Sequence, residues 1–424
     1  MQQGSKDALA KLMQHDALVR RFIGLTAYDT MARRGSKFTP SSAGQLRLGA
    51  HLSAELCELG LHSKQDEHGV VITKVPATEG CQSAPGLCLL AHLDTAPDAS
   101  GCDIRPALVE KYLGQGVELE NALTLDEHLS PELASHVGDD LIVTDGRTLL
   151  GADDKAGVAV LMELLKSCAA DPGFTHGPLT VVFTCDEELG LSCQHLEVES
   201  LGCTYAVTLD GGDLGSLDVA TFNAAGAVIK VQGRAVHTAV AKGRMVNAVG
   251  LCQRFLAELP AQENPECSAG HEGFYHVHNL EAAVDQAKIF MILRDFEREG
   301  LLVRQGRVQG ICAMLNEQLG YAAFEASIVP QYSNMADVLK AKPRIVELCR
   351  QAYGDCGVEV AENWVRGGTD GAILSARGLP CPNVFTGALN CHGPWECLSV
   401  QTLHKCEEVC RRLVTLAAAE VNHH

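Results

Sequence analysis

The sequence predicts an α/β fold, a mixed sheet with helices on both faces, into which a smaller α+β domain is inserted. Three observations predict it. Apolar runs rich in β-branched residues, such as Leu179–Thr184, are typical of strands that are buried on both faces. Segments with helical spacing of apolar residues alternate with these runs, which is the pattern of α/β proteins. The pattern changes near Thr221 and resumes after Asn334.

The first part of the chain, residues 1–220, supplies most of the predicted sheet. Helical spacing predicts helices over residues 17–34 and 40–60, and the second begins with a Pro-Ser-Ser start signal and ends at Gly60. A further helix is predicted at Val158–Cys168. The predicted strands are Val70–Lys74, Leu87–Leu90, Leu179–Thr184 and Tyr205–Leu209.

Residues 221–334 form the predicted inserted domain, a β-α-β-β-α-β-like unit of ordinary domain size. Its predicted elements are a strand at 225–236, a helix at 245–259, a strand at 288–297, a helix at 299–318 and a strand at 322–330. Residues 335–424 then return to the first domain. Their predicted elements are a helix at 343–353, a strand at Asn383–Thr386 and a helix at 400–419.

Composition narrows the class of protein. The chain is 46% apolar and 21% charged, which is ordinary for a globular enzyme. Its formal net charge of -19 argues against a nucleic-acid partner and disfavours an anionic membrane surface. No apolar run approaches the roughly 18 residues of a spanning helix, and the N-terminal segment lacks the apolar region of a signal peptide. Eighteen cysteines without a CxxC pair favour reduced, mostly buried thiols, and we expect a cytoplasmic protein without a membrane partner.

Five short segments, each after an apolar stretch, carry acidic or histidine side chains. They hold His92 and Asp94 (LLAHLDTAPD), Asp153 (LLGADDKAG), Glu187 and Glu188 (VVFTCDEELG), Asp210 (AVTLDGG) and His392 (FTGALNCHG). Ligands of open α/β sheets collect at the carboxyl ends of strands, where we expect all five segments. Imidazole and carboxylate groups are zinc ligands, and two neighbouring ions need one bridging carboxylate. The sequence therefore predicts a hydrolase with a two-ion site.

Five of these side chains are candidate metal ligands, and the other two have supporting roles. The set that fits two ions is His92 and Asp210 for one, Glu188 and His392 for the other, and Asp153 between them. Asp94 is placed to accept the second imidazole N–H of His92 and so fix its tautomer. Glu187, beside a ligand, is placed to take a proton from water activated by the metal. Each segment alone has a simpler explanation: a pair of surface residues, a solvent-exposed loop or the start of a helix. The occurrence of all five segments together favours the metal site.

These motifs resemble those of the peptidase T family, the di-zinc tripeptide aminopeptidases of the aminoacylase/tripeptidase superfamily. The likeness extends from Phe22 to the last helix and includes the segments Gly151–Gly157 and Arg366–Gly371. It implies a zinc-exopeptidase-like catalytic domain, an inserted lid and dimerisation domain, two Zn²⁺ ions per chain and a homodimer. It also implies the ligand set above, Glu187 as general base and a cis peptide bond after Asp153.

The resemblance extends to substrate-binding candidates. Arg294 and Arg366 resemble family arginines near the carboxylate end of the substrate, where bidentate pairing suits a guanidinium; a structural salt bridge is the alternative for each. Asn247 is a third candidate. His237 is expected to donate to the developing oxyanion across the homodimer, and the alternative is an interface or core histidine. The motif after His237 departs from the family pattern, since Thr-Ala-Val-Ala-Lys-Gly replaces Pro-Gly-Thr-Ala-Lys-Gly.

The predicted function is a cytoplasmic di-zinc aminopeptidase that removes the N-terminal residue from small peptides, above all tripeptides. Two alternatives remain open: an amidohydrolase acting on another N-acylated amino acid or a dipeptide, and a catalytically silent zinc-binding homologue. Glu187 argues against the second, because a silent homologue needs no base beside its ligands. After His392, Gly-Pro-Trp-Glu replaces the family's Gly-Lys-His-Glu, which bears on the substrate more than on the chemistry.

Overall fold

The computed structural model describes residues 3–420. The α-helices in this range are α1 (Gln3–His15), α2 (Ala17–Thr26), α3 (Ala43–Glu58), α4 (Ala152–Ala170), α5 (Ala248–Ala257), α6 (Arg298–Leu319), α7 (Ala336–Ala341), α8 (Arg344–Asp355), α9 (Asp370–Ala376) and α10 (Val400–Ala418). The strands are β1 (His62–Gln65), β2 (Val71–Val75), β3 (Leu87–His92), β4 (Ala107–Val109), β5 (Val117–Glu118), β6 (Thr124–Leu125), β7 (Leu141–Val143), β8 (Leu179–Thr184), β9 (Tyr205–Gly211), β10 (Ser216–Thr221), β11 (Asn223–Gln232), β12 (Phe274–Ala282), β13 (Gln286–Asp295), β14 (Phe324–Tyr332), β15 (Ala361–Val365), β16 (Asn383–Phe385), β17 (Ala388–Leu389) and β18 (Cys397–Ser399). The predicted mixed α/β class is confirmed.

The chain folds into two compact units. The larger unit comprises Met1–Val219, Asp337–Asn363 and Thr369–His424, and the inserted unit comprises Ala220–Ala336 with Trp364–Gly368. The prediction assigned residues 221–334 to the insertion. The sequence does not predict that Trp364–Gly368 belongs to the inserted unit, because a segment of five residues is too short to show a periodic pattern.

A mixed eight-stranded sheet, in the order β1-β2-β8-β3-β9-β16-β10-β15, is the frame of the larger unit. Strands β8, β3, β9 and β16 run parallel, and β2 and β10 pair antiparallel to them. Every residue of β3 and β8 is buried, as the continuous apolar run Leu179–Thr184 predicts. Because β8, β3 and β9 are parallel neighbours, their carboxyl ends meet at one edge of the sheet.

The inserted unit has its own antiparallel sheet, in the order β12-β13-β11-β14. Alternate residues of β13 are buried, and together with apolar residues of α5 and α6 they form a separate core. β11 is paired along its whole length with β13, from Asn223–Asp295 to Gln232–Gln286. Of its four strands, Phe274–Ala282 was not predicted, since its second half is largely exposed and polar.

Two predicted elements end earlier than expected. The helix predicted over 17–34 ends at Thr26, whose hydroxyl donates to the carbonyl of Ile23, and Met31 instead bridges to Thr95 next to β3. The strand predicted over 225–236 ends at Gln232, so His237 lies in a loop rather than in a strand. In both places tertiary contacts override a local pattern.

Within the described range no helix combines the length and apolar content that crossing a membrane requires. All eighteen cysteines are free thiols, and most of them are buried.

Candidate active site

Three of the predicted segments end neighbouring parallel strands. His92 is the last residue of β3, Asp210 lies one residue before the end of β9, and Glu187 and Glu188 follow β8. Because these strands are adjacent and parallel, their side chains meet at the carboxyl edge of the sheet, where α/β proteins bind ligands.

The other two segments reach the same place differently. Asp153 lies in the kinked first turn of α4, and the peptide bond between Asp153 and Asp154 is cis, which confirms the predicted bond. His392 follows β17 in a turn and has a positive φ of 68°. The expectation that every segment follows a strand is therefore wrong for Asp153, whose preceding leucines form no strand.

The five predicted ligands converge on two groups that share Asp153. One oxygen of Asp153 lies 2.9 Å from Nε2 of His92, and the other lies 3.2 Å from Nε2 of His392. An oxygen of Asp210 is 3.4 Å from the same nitrogen of His92, and an oxygen of Glu188 is 3.1 Å from Nε2 of His392. In each group the three donor atoms lie within 4.8 Å of one another. A carboxylate with one oxygen toward each group is the arrangement that two neighbouring ions need.

The charges of this cluster fit divalent cations. Burial and the charge of Asp153 raise the pKa of Asp210 to about 8. Hydrogen bonds to Asp153 and Glu188 raise the pKa of His392 to about 11. Oε1 of Glu188 is buried and lies 3.1 Å from Nε2 of His392. Three crowded carboxylates and two imidazoles thus form a donor set that cations would neutralise.

Asp94 contacts both His92 and the loop that carries Glu187. The Nδ1 of His92 lies 3.1 Å from the carbonyl oxygen of Asp94 and 3.5 Å from its nearer carboxylate oxygen. The carboxylate also accepts the backbone N–H groups of Glu187 and Glu188, each at 3.1 Å. Nδ1 of His92 therefore faces Asp94 while Nε2 faces the cluster, and the part that the Asp94 carboxylate plays in fixing this tautomer stays a prediction.

Asp154 is a supporting residue that the sequence did not single out. Its buried carboxylate accepts the backbone N–H of His92 at 3.0 Å and that of Gly157 at 3.1 Å, which ties the start of α4 to the end of β3. Gly157 is required there, because a Cβ at this position would lie 2.1 Å from the carbonyl oxygen of Leu209 on β9. In the sequence, Asp-Asp-Lys is indistinguishable from an ordinary helix start.

Comparison with known proteins identifies the family. The profile described as Peptidase family M20/M25/M40 matches residues 143–416. A protein named peptidase T from Clostridium perfringens is 39% identical over 399 residues, which cover 94% of this chain and 98% of that protein. The chain belongs to the peptidase T family. This metal-dependent family confirms the predicted enzyme class, a metallo-exopeptidase, and does not favour the amidohydrolase alternative.

Solved structures share the fold of this chain. The aminopeptidase of Bacillus cereus superposes with a TM-score of 0.73 at 21% identity and covers 95% of this chain and 98% of its own. A protein of Bacillus subtilis, described as a dinuclear metal-binding peptidase of the M20 family, has a TM-score of 0.59 at 13% identity, with coverage of 97% and 98%.

Arg366, a predicted substrate-binding residue in the segment Arg-Gly-Gly-Thr-Asp-Gly, already has hydrogen-bonding partners in the inserted unit. Arg366 donates from Nη1 to the carbonyl oxygens of Gly270 and Glu272, at 2.9 and 2.6 Å, and from Nη2 to Oγ of Ser268 at 2.8 Å. Its guanidinium also lies over the ring of Phe222, 5.2 Å from the centroid. These contacts are those of a structural clamp within the inserted unit, so carboxylate recognition by Arg366 stays a prediction.

The other candidates in the inserted unit also have local partners. Arg294 is buried, donates to the carbonyl of Leu293 at 3.0 Å and lies over the ring of Tyr332. Asn247 caps α5 by accepting the N–H of Val249 at 3.0 Å. Nδ1 of the exposed His237 accepts the N–H of Ala239 at 3.2 Å, so a neutral ring carries its proton on Nε2. His237 is thus in the tautomer that an oxyanion donor needs, while its partner and role stay predictions.

Proposed function

We propose that the protein is a di-zinc aminopeptidase that removes the N-terminal residue from small peptides, tripeptides in particular. The observation that carries the proposal is the pair of three-ligand groups joined by Asp153, with Glu187 directly beside the ligand Glu188. The donor set of imidazoles and carboxylates suits zinc. The peptidase T names of the relatives and the dinuclear metal site of the Bacillus subtilis neighbour support this choice of metal number and reaction.

Glu187 is the proposed general base. When bound, the two ions supply electrophilic assistance to the scissile carbonyl and acidify water. Glu187 accepts the water proton at its carboxylate and returns it to the leaving amine. Burial, followed by the charge of Asp210, raises the pKa of Glu187 well above its usual range. The carboxylate of Asp94 keeps the backbone of Glu187 in place by accepting the N–H of Glu187.

A matched pair of substitutions tests this assignment. Glu187→Gln should retain both ions and lower kcat by roughly 10²–10⁴-fold, because the amide cannot accept the proton. Glu188→Gln, the same change one residue later, should instead lose the ion held with His392. Metal analysis and tripeptide turnover are the measurements. A Glu187→Gln protein with near-parental kcat would refute the base, and a parent that binds zinc without cleaving any tripeptide would identify a silent homologue.

A substrate panel separates the aminopeptidase from the amidohydrolase. Di-, tri- and tetrapeptides with free amines are compared with the same peptides carrying an N-acetyl group. We expect turnover of free tripeptides and none of the acetylated ones. Preferential cleavage of acetylated substrates would favour the alternative.

A homodimer and a cytoplasmic location are also part of the proposal. In the dimer, His237 of each chain acts at the active site of the partner chain. His237→Ala should keep both ions while kcat falls by about 10²–10³-fold, the usual cost of losing one oxyanion donor. Mixing this variant with Glu187→Gln chains should restore activity, since one site of the mixed dimer then receives an intact base and an intact histidine. Absence of recovery, with subunit exchange verified, would show that His237 does not act in trans.

A further inference from the structure

We infer that Gln45 and Ser41, at the start of α3, are positioning residues for Glu187 and act through Asp186. The inference rests on the proposed role of Glu187 as general base. Neither residue belongs to the predicted site, and Gln45 lies 141 positions before Asp186 in the sequence.

The contact is a closed network of buried hydrogen bonds. The carboxylate of Asp186 accepts the N–H of Ser41 at 2.7 Å, its hydroxyl at 2.5 Å and the side-chain amide of Gln45 at 2.8 Å. The backbone N–H of Asp186 donates to the amide oxygen of Gln45 at 3.0 Å. Gln45 is fully buried and Asp186 is 1% exposed. The oxygen and the nitrogen of the Gln45 side-chain amide therefore both form hydrogen bonds with Asp186. Buried polar groups in folded proteins have such hydrogen-bonding partners.

The start of α3 is built for this contact rather than for capping the helix. Ser42 occupies the N-cap position of α3, but its hydroxyl accepts the side-chain amide of Gln45 at 3.3 Å instead of capping the helix backbone. The hydroxyl of Ser41, just outside the helix, accepts the N–H of Arg33 at 2.8 Å and donates to Asp186. The sequence predicts the Pro-Ser-Ser segment only as a helix start. In the structure this segment also holds the distant loop that contains Asp186.

The network fixes the backbone that leads into the base. Asp186 has a left-handed conformation with φ of 60°, which non-glycine residues adopt only where surrounding contacts hold them. Glu187 and Glu188 then begin a short 3₁₀ turn, Glu187–Leu189. Asp94 holds the N–H groups of Glu187 and Glu188 from the side of β3. Asp94 therefore holds the peptide units on both sides of Glu187, and the start of α3 holds the N–H and the carboxylate of the preceding residue, Asp186.

Gln45→Met tests the inference, because it keeps the length and burial of the side chain but removes both hydrogen bonds to Asp186. We expect kcat to fall by roughly 10–10²-fold, which is the effect of displacing a catalytic group by about 1 Å. Substrate KM should stay within about twofold, because the substrate contacts are unchanged. Zinc content should equal that of the parent. Ser41→Ala, which removes the hydroxyl bonded to Asp186 and Arg33 but keeps the backbone N–H bonded to Asp186, should move kcat in the same direction.

Two further variants separate positioning from general destabilisation. Gln65→Met is the matched control, because Gln65 also donates to α3, at the carbonyl of Leu46, but its hydrogen bonds do not reach Asp186. It should leave kcat unchanged even where the melting temperature falls. The double variant Gln45→Glu/Asp186→Asn exchanges the donor and acceptor of the pair, and it should recover most of the kcat lost in Gln45→Met.

The outcomes distinguish this inference from the proposed function. If Glu187→Gln abolishes turnover while Gln45→Met keeps parental kcat, the inference is overturned and the base stands. If Gln45→Met loses zinc, or if the exchanged pair does not recover kcat, Gln45 has a structural role only and the inference is again overturned. If Glu187→Gln keeps parental kcat, the base assignment itself falls, and the inference falls with it.

Discussion

Glu396 is the residue outside the ligand set whose replacement we expect to disturb the metal site most. It lies four residues after His392 and is 1% exposed. One carboxylate oxygen accepts the backbone N–H groups of Leu150 and Gly151, at 2.6 and 2.8 Å, and the other accepts the N–H of Asp153 at 3.1 Å. A single side chain therefore joins the segment that carries His392 to the turn that presents the bridging carboxylate.

The magnitude of the Glu396→Gln change follows from this geometry. The amide oxygen can keep the hydrogen bonds to Leu150 and Gly151, but the amide NH₂ then faces the N–H of Asp153. One charge-assisted hydrogen bond, about 1.5–3 kcal/mol, is lost and a buried donor is left unpaired. Burial raises the pKa of Glu396 to about 7, so removing its charge offsets part of the loss. We expect the free energy of unfolding of metal-free protein to fall by about 1–3 kcal/mol.

Urea unfolding of metal-free protein and zinc titration of folded protein measure the two effects separately. Zinc affinity should weaken at both positions, because Asp153 belongs to both groups. Glu67→Gln, at a side chain that is 88% exposed, is the control for a Glu-to-Gln change without buried partners. If Glu396→Gln matches the parent in both unfolding and zinc affinity, the hydrogen bonds to the turn do not position Asp153.

Three further predictions concern Asp153, Arg366 and His136. Asp153→Ala should lose both ions together, and metal analysis that finds one retained ion would contradict the bridge. If Arg366 recognises the substrate carboxylate, Arg366→Ala should erase the preference for a tripeptide acid over its C-terminal amide; equal turnover of acid and amide by the parent would leave Arg366 as a clamp only. Burial alone would lower the pKa of His136, but hydrogen bonds to Asp213 and Asp139, both at 2.8 Å, raise it. The stability that the protonated ring contributes is therefore complete below the unfolded pKa of about 6.5 and is lost as pH rises through the higher folded pKa. The stability of the parent should show this decline with pH, and that of His136→Gln should lack it. Identical pH profiles of stability for the two proteins would exclude this contribution of His136.

The sequence was sufficient for features that depend on residue type and local pattern. Leu179–Thr184 was predicted as a buried strand to the residue, and the five ligand candidates were found because imidazoles and carboxylates after apolar runs are locally visible. Two kinds of feature were not visible. Short strands between residues 107 and 143 are too brief to show a period. The partners of Asp94, Asp186 and Glu396 depend on contacts between distant segments, which a single sequence does not display.

The order of the ligands along the chain has a consequence for biosynthesis. The group formed by His92, Asp153 and Asp210 is complete before the inserted unit begins at Ala220. The second group needs His392, which is synthesised only after the whole insertion and after β16, the strand beside β9. A growing chain on the ribosome therefore carries one full set of donors long before the other. The proposed second ion can therefore be bound only in the last steps of synthesis or by the released protein, and the proposed bridge is complete only then.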